Sequence, residues 1–295
     1  MLDAITNELF VDQPFQTTVR KNVALEGVGL HSGRFVRILI RPAPANCGIK
    51  FRRMDISDQL RTVIAHASYA EQARLCTRIV NSEGIALETI EHLMATCAGI
   101  GLDNAVIETD ASEAPILDGS SRPILDAISK VGLEILPAKR KVMFVSKAVE
   151  VQLELGAWAR LEPLDKLQIN VKIEFDDHAI GKQAYSYTHK DGSFAAELAG
   201  ARTFCQLRDV ESMQNAGLAL GGSLNNAIVV DGGKILNDGG LRVEREFVRH
   251  KVLDCLGDLF LIGMPIRAKM TVERPGHALS TKLVQTLLSD ATNYV

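Results

Sequence analysis

EREFVRHKVLDCLGDLFLIGMPIRAKMTVE, residues 244–273, changes its hydrophobic period once, from that of a helix to that of a strand. Val248, Val252, Cys255, Leu256 and Leu259 recur at i, i+4, i+7, i+8 and i+11, an amphipathic helix. RAKMTVE then alternates as a half-buried strand does. At roughly 100° per residue, His250, Asp254 and Asp258 fall within about 80° of one another, opposite the apolar stripe. An i, i+4 histidine and aspartate are either a solvated pair on an exposed face or half of a cation site. Two features favour the cation site: Lys251 and Asp258 extend the same polar face, and Gly257 sits inside the helix, where glycine costs about 1 kcal/mol relative to alanine.

Downstream, His277 in ERPGHALS follows the strand and precedes a helix whose apolar face holds Leu283, Val284 and Leu287. Loops at strand ends commonly present catalytic groups. A protonated imidazole there could donate to a departing amine, with a carboxylate such as Asp258 raising its pKa; the alternative is a helix N-terminal residue with no role. Upstream, TIEHLMATCAGIG (89–101) reads as a helix through Ile90, Leu93, Met94 and Cys97, with Gly99 or Gly101 to end it. Its Glu91-His92 dipeptide stands as a surface acid and a core histidine when taken alone. Beside the His250–Asp254 pair it has a second reading, because catalytic zinc takes three protein ligands and keeps one open position. Adjacent helical residues diverge by about 100°, so one can coordinate while the other faces the attacking water. His31, in the glycine-flanked turn EGVGLHSG, is either a turn residue or a neighbour of a site.

Strands dominate the rest: FVRILIR with Val36, Ile38 and Ile40, NAVIETD (104–110), and KLQINVKIEF with Leu167, Ile169, Val171, Ile173 and Phe175 on one face. A helix at SSRPILDAISKVG has Ser121 as expected N-cap, Pro123 in its first turn and Gly132 as its stop, fed by an Asp118-Gly119-Ser120 turn. A helical stretch at 209–217 precedes the hairpin AIVVDGGKIL, whose Asp231-Gly232 suits a tight turn. LPAKRK (136–141) lacks periodicity and is expected to separate two α+β halves, 17–138 and 139–295, after an N-terminal extension of residues 1–16.

A chain of 295 residues that is 46% hydrophobic can bury a large core. Its 33 basic and 36 acidic residues leave no positive excess for a phosphate backbone, so nucleic acid is not an expected partner. Five scattered cysteines with no C-x-x-C pair fit reduced thiols. The N-terminus, with Asp3, lacks a signal-like start, and no stretch is apolar for the length of a membrane span; a cytoplasmic location is expected. Any amide could serve as substrate for such a metal site, a peptide included, and a non-catalytic protein with a closed four-ligand metal is the alternative from another class.

TIEHLMA, EFVRHKVLDCLGDLF and RPGHAL, together with GVGLHSG, APILDGS, ARTF and GGSLNNAIVVD, resemble the UDP-3-O-acyl-N-acetylglucosamine deacetylases of lipid A biosynthesis, in that family's order, from about Thr17 to the C-terminus. The resemblance implies that His92, His250 and Asp254 hold zinc, that Glu91 activates the water at the metal, and that His277, oriented by Asp258, protonates the leaving glucosamine nitrogen. It implies that Thr203 steadies the oxyanion and that Lys251, Arg274, His31 and Phe204 meet the substrate, an amphiphilic sugar nucleotide. The implied fold is two domains of similar topology, each a sheet packed with paired helices, with the site between them. An inserted βαβ unit at about 205–235 would form an apolar passage for the acyl chain, with Val210, Leu218, Ala219 and Leu224 as candidate lining. A monomer in transient contact with the inner membrane surface is the expectation that follows.

Overall fold

The computed structural model describes residues 12–57 and 61–295. Most of the expected N-terminal extension, Asp3 included, lies outside the described residues. In chain order the elements are β1 (Phe15–Val19), β2 (Val23–Val28), β3 (Phe35–Pro42), β4 (Ile49–Arg53), β5 (Thr62–Ile64), β6 (Ala70–Glu71), β7 (Arg78–Val80), β8 (Ala86–Glu88), α1 (Glu91–Ile100), β9 (Ala105–Thr109), α2 (Arg122–Val131) and β10 (Leu133–Lys139). There follow β11 (Met143–Phe144), β12 (Val149–Gln152), β13 (Trp158–Glu162), β14 (Leu167–Glu174), β15 (Lys182–Thr188), β16 (Phe204–Gln206), α3 (Leu207–Asn215), β17 (Ile228–Asp231), β18 (Lys234–Ile235), α4 (Glu246–Leu259), β19 (Ile266–Glu273) and α5 (His277–Leu288).

Two sheets carry the same plan. The first runs β2-β3-β9-β4-β5 and the second β12-β13-β19-β14-β15. In each, the central strand pairs antiparallel on one side and parallel on the other. Each unit also reads the same way along the chain: four strands, an insert, a helix, the central strand, a second helix. The first insert is the small antiparallel sheet β6-β7-β8; the second is β16-α3-β17 with a parallel β16–β17 pair, closed by the hairpin to β18. This is the expected α+β pair of similar topology, and the second insert, from Phe204 to Ile235, falls at the position the resemblance implied.

Alternation dictates which strand faces are buried. Val36, Ile38 and Ile40 on β3, Leu167, Ile169, Val171 and Ile173 on β14, and Ile266, Ala268, Met270 and Val272 on β19 all join one core. Phe175 falls just past β14 and is only partly buried. Between the sheets lie α1 and α4, packed on each other. Helix α4 is therefore buried on both sides: the apolar stripe faces its own sheet, and the face carrying His250, Asp254 and Asp258 is turned to α1 rather than to solvent. Gly257 permits this, because a Cβ there would run into the Glu91 carbonyl and crowd the Ala95 backbone nitrogen.

Two local expectations are corrected. Ser121 flanks α2 but makes no side-chain cap; its hydroxyl donates to the His92 carbonyl (3.0 Å), so a buried backbone acceptor of α1 takes it. The stretch read as an aperiodic linker is strand through Lys139, paired antiparallel with β1. Pro137 is tolerated because it lies where the pairing with β1 shifts register in a two-stranded ribbon. Beyond it, Arg140 closes on Asp103 (2.8 Å) and the Gly101 carbonyl at the end of α1. Among the described residues, no helix is long and apolar enough to cross a membrane.

Candidate active site

Helix α4 presents His250 and Asp254 one turn apart, and α1 presents His92 against them. The Asp254 Oδ1 atom lies 3.4 Å from His250 Nε2 and 3.8 Å from His92 Nε2. All three ligand atoms fall within 4.8 Å of one another, and the residues are buried. Donors on a tetrahedral zinc with bonds near 2.0–2.1 Å stand roughly 3.3 Å apart, so the cluster is close to the size of an ion.

The chemistry of the donors fits as well. His250 Nδ1 donates to the Ala201 carbonyl (3.0 Å), which leaves the Nε2 lone pair facing inward. Burial, aided by His250, lowers His92 to about 3, so its ring is neutral and able to ligate. Asp254 Oδ2 accepts from Lys251 Nζ (3.1 Å), while Oδ1 is buried with no hydrogen-bond partner among the described residues. Burial opposes ionisation of Asp254, but His250 and Lys251 outweigh it and hold the carboxyl well below its usual range. A buried anionic oxygen without a donor is costly unless a cation meets it. These three residues could hold a divalent metal.

Two further groups stand beside that cluster. Glu91, first residue of α1, has Oε1 at 3.6 Å from His277 Nε2, and Oε2 accepting the Thr77 backbone N–H at 3.0 Å. His277, first residue of α5, has Nδ1 at 3.1 Å from Asp258 Oδ2. Burial raises Glu91 to about 7, against the opposing pull of His277. For His277 burial disfavours the charge, yet Asp258 and Glu91 prevail and hold it up to about 10. One carboxyl that titrates near pH 7 beside one strongly basic imidazole is an arrangement able to serve as a base and acid pair.

A cavity of about 730 Å³ runs from His277 to the second insert. Thr203, Phe204, Lys251, His31 and His277 line it, with Val210, Ala219 and Leu224 further along; Leu218 is not among its walls. Thr203 is fixed by its N–H to the Gly119 carbonyl (2.7 Å), so the Asp118-Gly119-Ser120 turn does more than feed α2. Lys251 Nζ also sits 5.4 Å above the Phe204 ring. His31 Nδ1 accepts from the Ala219 N–H (3.3 Å), joining the first half to the insert. Arg274 is not brought in: its guanidinium bonds the Leu155 carbonyl (2.9 Å) and reaches Glu174 at 3.4 Å, on an exposed edge.

Four contributors escaped the sequence reading. Thr77 bonds both Glu91 and the His277–Asp258 pair. Glu113 accepts the N–H groups of His31 and Ser32 and the hydroxyl of Thr89, a β-branched residue at φ 57° next to α1. Such backbone costs on the order of 1–3 kcal/mol and persists only where its surroundings enforce it. Arg202 and Glu246 form a buried ion pair (2.7 Å) that pins the segment from Ala201 to Thr203 onto the start of α4. None lies in an apolar periodic pattern; Arg202 in ARTF and Glu246 in EFVRHKVLDCLGDLF belonged to matching blocks.

The family model for UDP-3-O-acyl N-acetylglycosamine deacetylase matches residues 16–289. The chain is 43% identical over 277 residues to the UDP-3-O-acyl-N-acetylglucosamine deacetylase of Shewanella sp. (strain W3-18-1), an alignment spanning 93% of this chain and 90% of that one. It is similar to proteins of the same name from Idiomarina loihiensis, at 41% over 276 residues, and Mannheimia succiniciproducens, at 40% over 277, with the same coverage.

Proposed function

The chain belongs to the UDP-3-O-acyl-N-acetylglucosamine deacetylase family, and from that premise we propose that it hydrolyses the N-acetyl group of UDP-3-O-(3-hydroxyacyl)-N-acetylglucosamine, giving the free amine and acetate, as the committed step of lipid A biosynthesis. The observation that carries the reading is the pairing of Glu91 with His277, 3.6 Å apart, beside a trio of metal-competent side chains, with His277 also lining a largely apolar cavity. His92, His250 and Asp254 would hold zinc, which when bound supplies Lewis acidity to the carbonyl and makes water a stronger acid.

The chain's own groups do the rest. Glu91 takes the proton of the attacking water as it adds to the acetamide carbonyl. Thr203 donates its hydroxyl to the oxyanion of the tetrahedral intermediate. His277, protonated and held by Asp258, gives its Nε2 proton to the nitrogen, so that the C–N bond breaks to an amine rather than an amide anion. Lys251, with its ammonium over the Phe204 ring, meets anionic substrate oxygens. The walls offered by Val210, Ala219 and Leu224 suit an acyl chain better than a peptide. Acetate measured from the purified protein and this substrate tests the reading; His277→Ala should lower turnover on the order of 10²- to 10⁴-fold with metal retained. Full turnover by that variant would remove His277 from the acid role.

A further inference from the structure

We propose that Thr77 is a positioning residue that ties the general base to the general acid, its backbone holding Glu91 and its hydroxyl holding the Asp258–His277 pair. The proposal rests on the roles given to Glu91 and His277 above. Thr77 is buried, just before β7, where the first insert passes between the N-termini of α1 and α5. Its N–H donates to Glu91 Oε2 (3.0 Å), which leaves Oε1 as the oxygen nearest His277 Nε2. Its hydroxyl lies 2.5 Å from Asp258 Oδ1 and 3.0 Å from His277 Nδ1.

A hydroxyl has one proton. Asp258 as a carboxylate can only accept, so at 2.5 Å it takes that proton, and the oxygen turns a lone pair toward His277. Nδ1 then faces only acceptors, this lone pair and Asp258 Oδ2 and Oδ1 at 3.1 and 3.2 Å, and must itself carry hydrogen. The ring left after His277 has given up its proton is therefore the Nδ1–H tautomer, with Nε2 bare and aimed at Glu91 and the reacting centre. One residue sets both the oxygen that Glu91 offers and the nitrogen that His277 offers. A threonine needed only for packing would leave its hydroxyl on any nearby carbonyl and would couple neither group.

The test compares Thr77→Val, which keeps the shape and loses the hydroxyl, with Thr77→Ser, which keeps it, in metal-loaded protein. Thr77→Val should lower kcat by about 10- to 100-fold, as loss of an outer partner of a site typically does, with KM and metal content unchanged. Thr77→Ser should recover most of the rate, and Thr77→Val should add no further loss on His277→Ala. A readout independent of substrate is ¹⁵N-labelled histidine NMR, the His277 signals being those lost in His277→Ala. A hydrogen-bonded Nδ1–H should be present in wild type and displaced in Thr77→Val. Wild-type kcat in Thr77→Val, equal impairment of the valine and serine variants, an equal loss on the His277→Ala background, or a wild-type ring lacking Nδ1–H would each overturn the proposal. Absence of acetate from the wild-type protein would instead sink the assigned reaction, and the NMR result would still decide the role of Thr77.

Discussion

Gly257→Ala adds one methyl group at the point where α4 crosses the start of α1. On an isolated helix the change would stabilise by about 1 kcal/mol. Here the new Cβ meets the Glu91 carbonyl, with the Ala95 nitrogen 3.0 Å away, and both belong to helix backbone that cannot rotate aside. Relief requires the helices to part, and overpacking of this kind costs typically about 1–3 kcal/mol. The net expectation is a loss of up to about 2 kcal/mol, a modest fall in the urea midpoint at unchanged slope. The effect on turnover should be larger, because the displaced carbonyl belongs to Glu91 itself and His92 follows it. A shift of roughly 1 Å between reacting groups can cost on the order of 10²-fold. Urea unfolding, metal content and acetate release, measured on the same preparation, give the three numbers. A variant more stable than wild type with undiminished turnover would refute the close crossing of α1 and α4 as the frame of the site.

The rate should follow a bell-shaped pH profile, since Glu91 must be ionised and His277 protonated. It rises as pH passes the Glu91 value, raised by burial to about 7, and falls as pH passes the His277 value near 10. A bound cation favours the carboxylate and disfavours the imidazolium, so the loaded enzyme should show both limbs at lower pH; a profile with no alkaline limb would contradict the acid role. Glu246→Ala strands the Arg202 guanidinium in a buried setting and should destabilise by about 3–5 kcal/mol, while also loosening Ala201 and Thr203. A loss under about 1 kcal/mol in urea unfolding would show that this ion pair does not pin them.

The α4–β19 stretch was legible because its apolar residues keep one period and then the other, and those periods are direct consequences of backbone geometry. The placement of His250 and Asp254 on one helical face followed from the same arithmetic. What arithmetic could not supply was the partner of that face: α4 is buried all round because a second, topologically equivalent unit packs α1 against it. Gly257 illustrates the difference. From sequence it is a weak helix former; in the fold it is the one residue small enough for the crossing. Thr77 and Glu113 were invisible because their roles depend on hydrogen bonds that reach across the chain, 200 residues to His277 and 82 to His31 among them. Residues 136–139 lack a strand-like period because the proline sits where pairing with β1 shifts register. Arg274 lies near His277 in sequence, but β19 ends with its side chain outside the cavity.

The most direct test of the account is acetate release from UDP-3-O-(3-hydroxyacyl)-N-acetylglucosamine by the purified protein, before chelation, after metal removal, and after return of one equivalent of zinc. Activity that disappears on chelation and returns with the ion, and that does neither in His250→Ala, is the predicted result. Acetate release that survives complete metal removal, or zinc bound at His92, His250 and Asp254 with no acetate released, would contradict it.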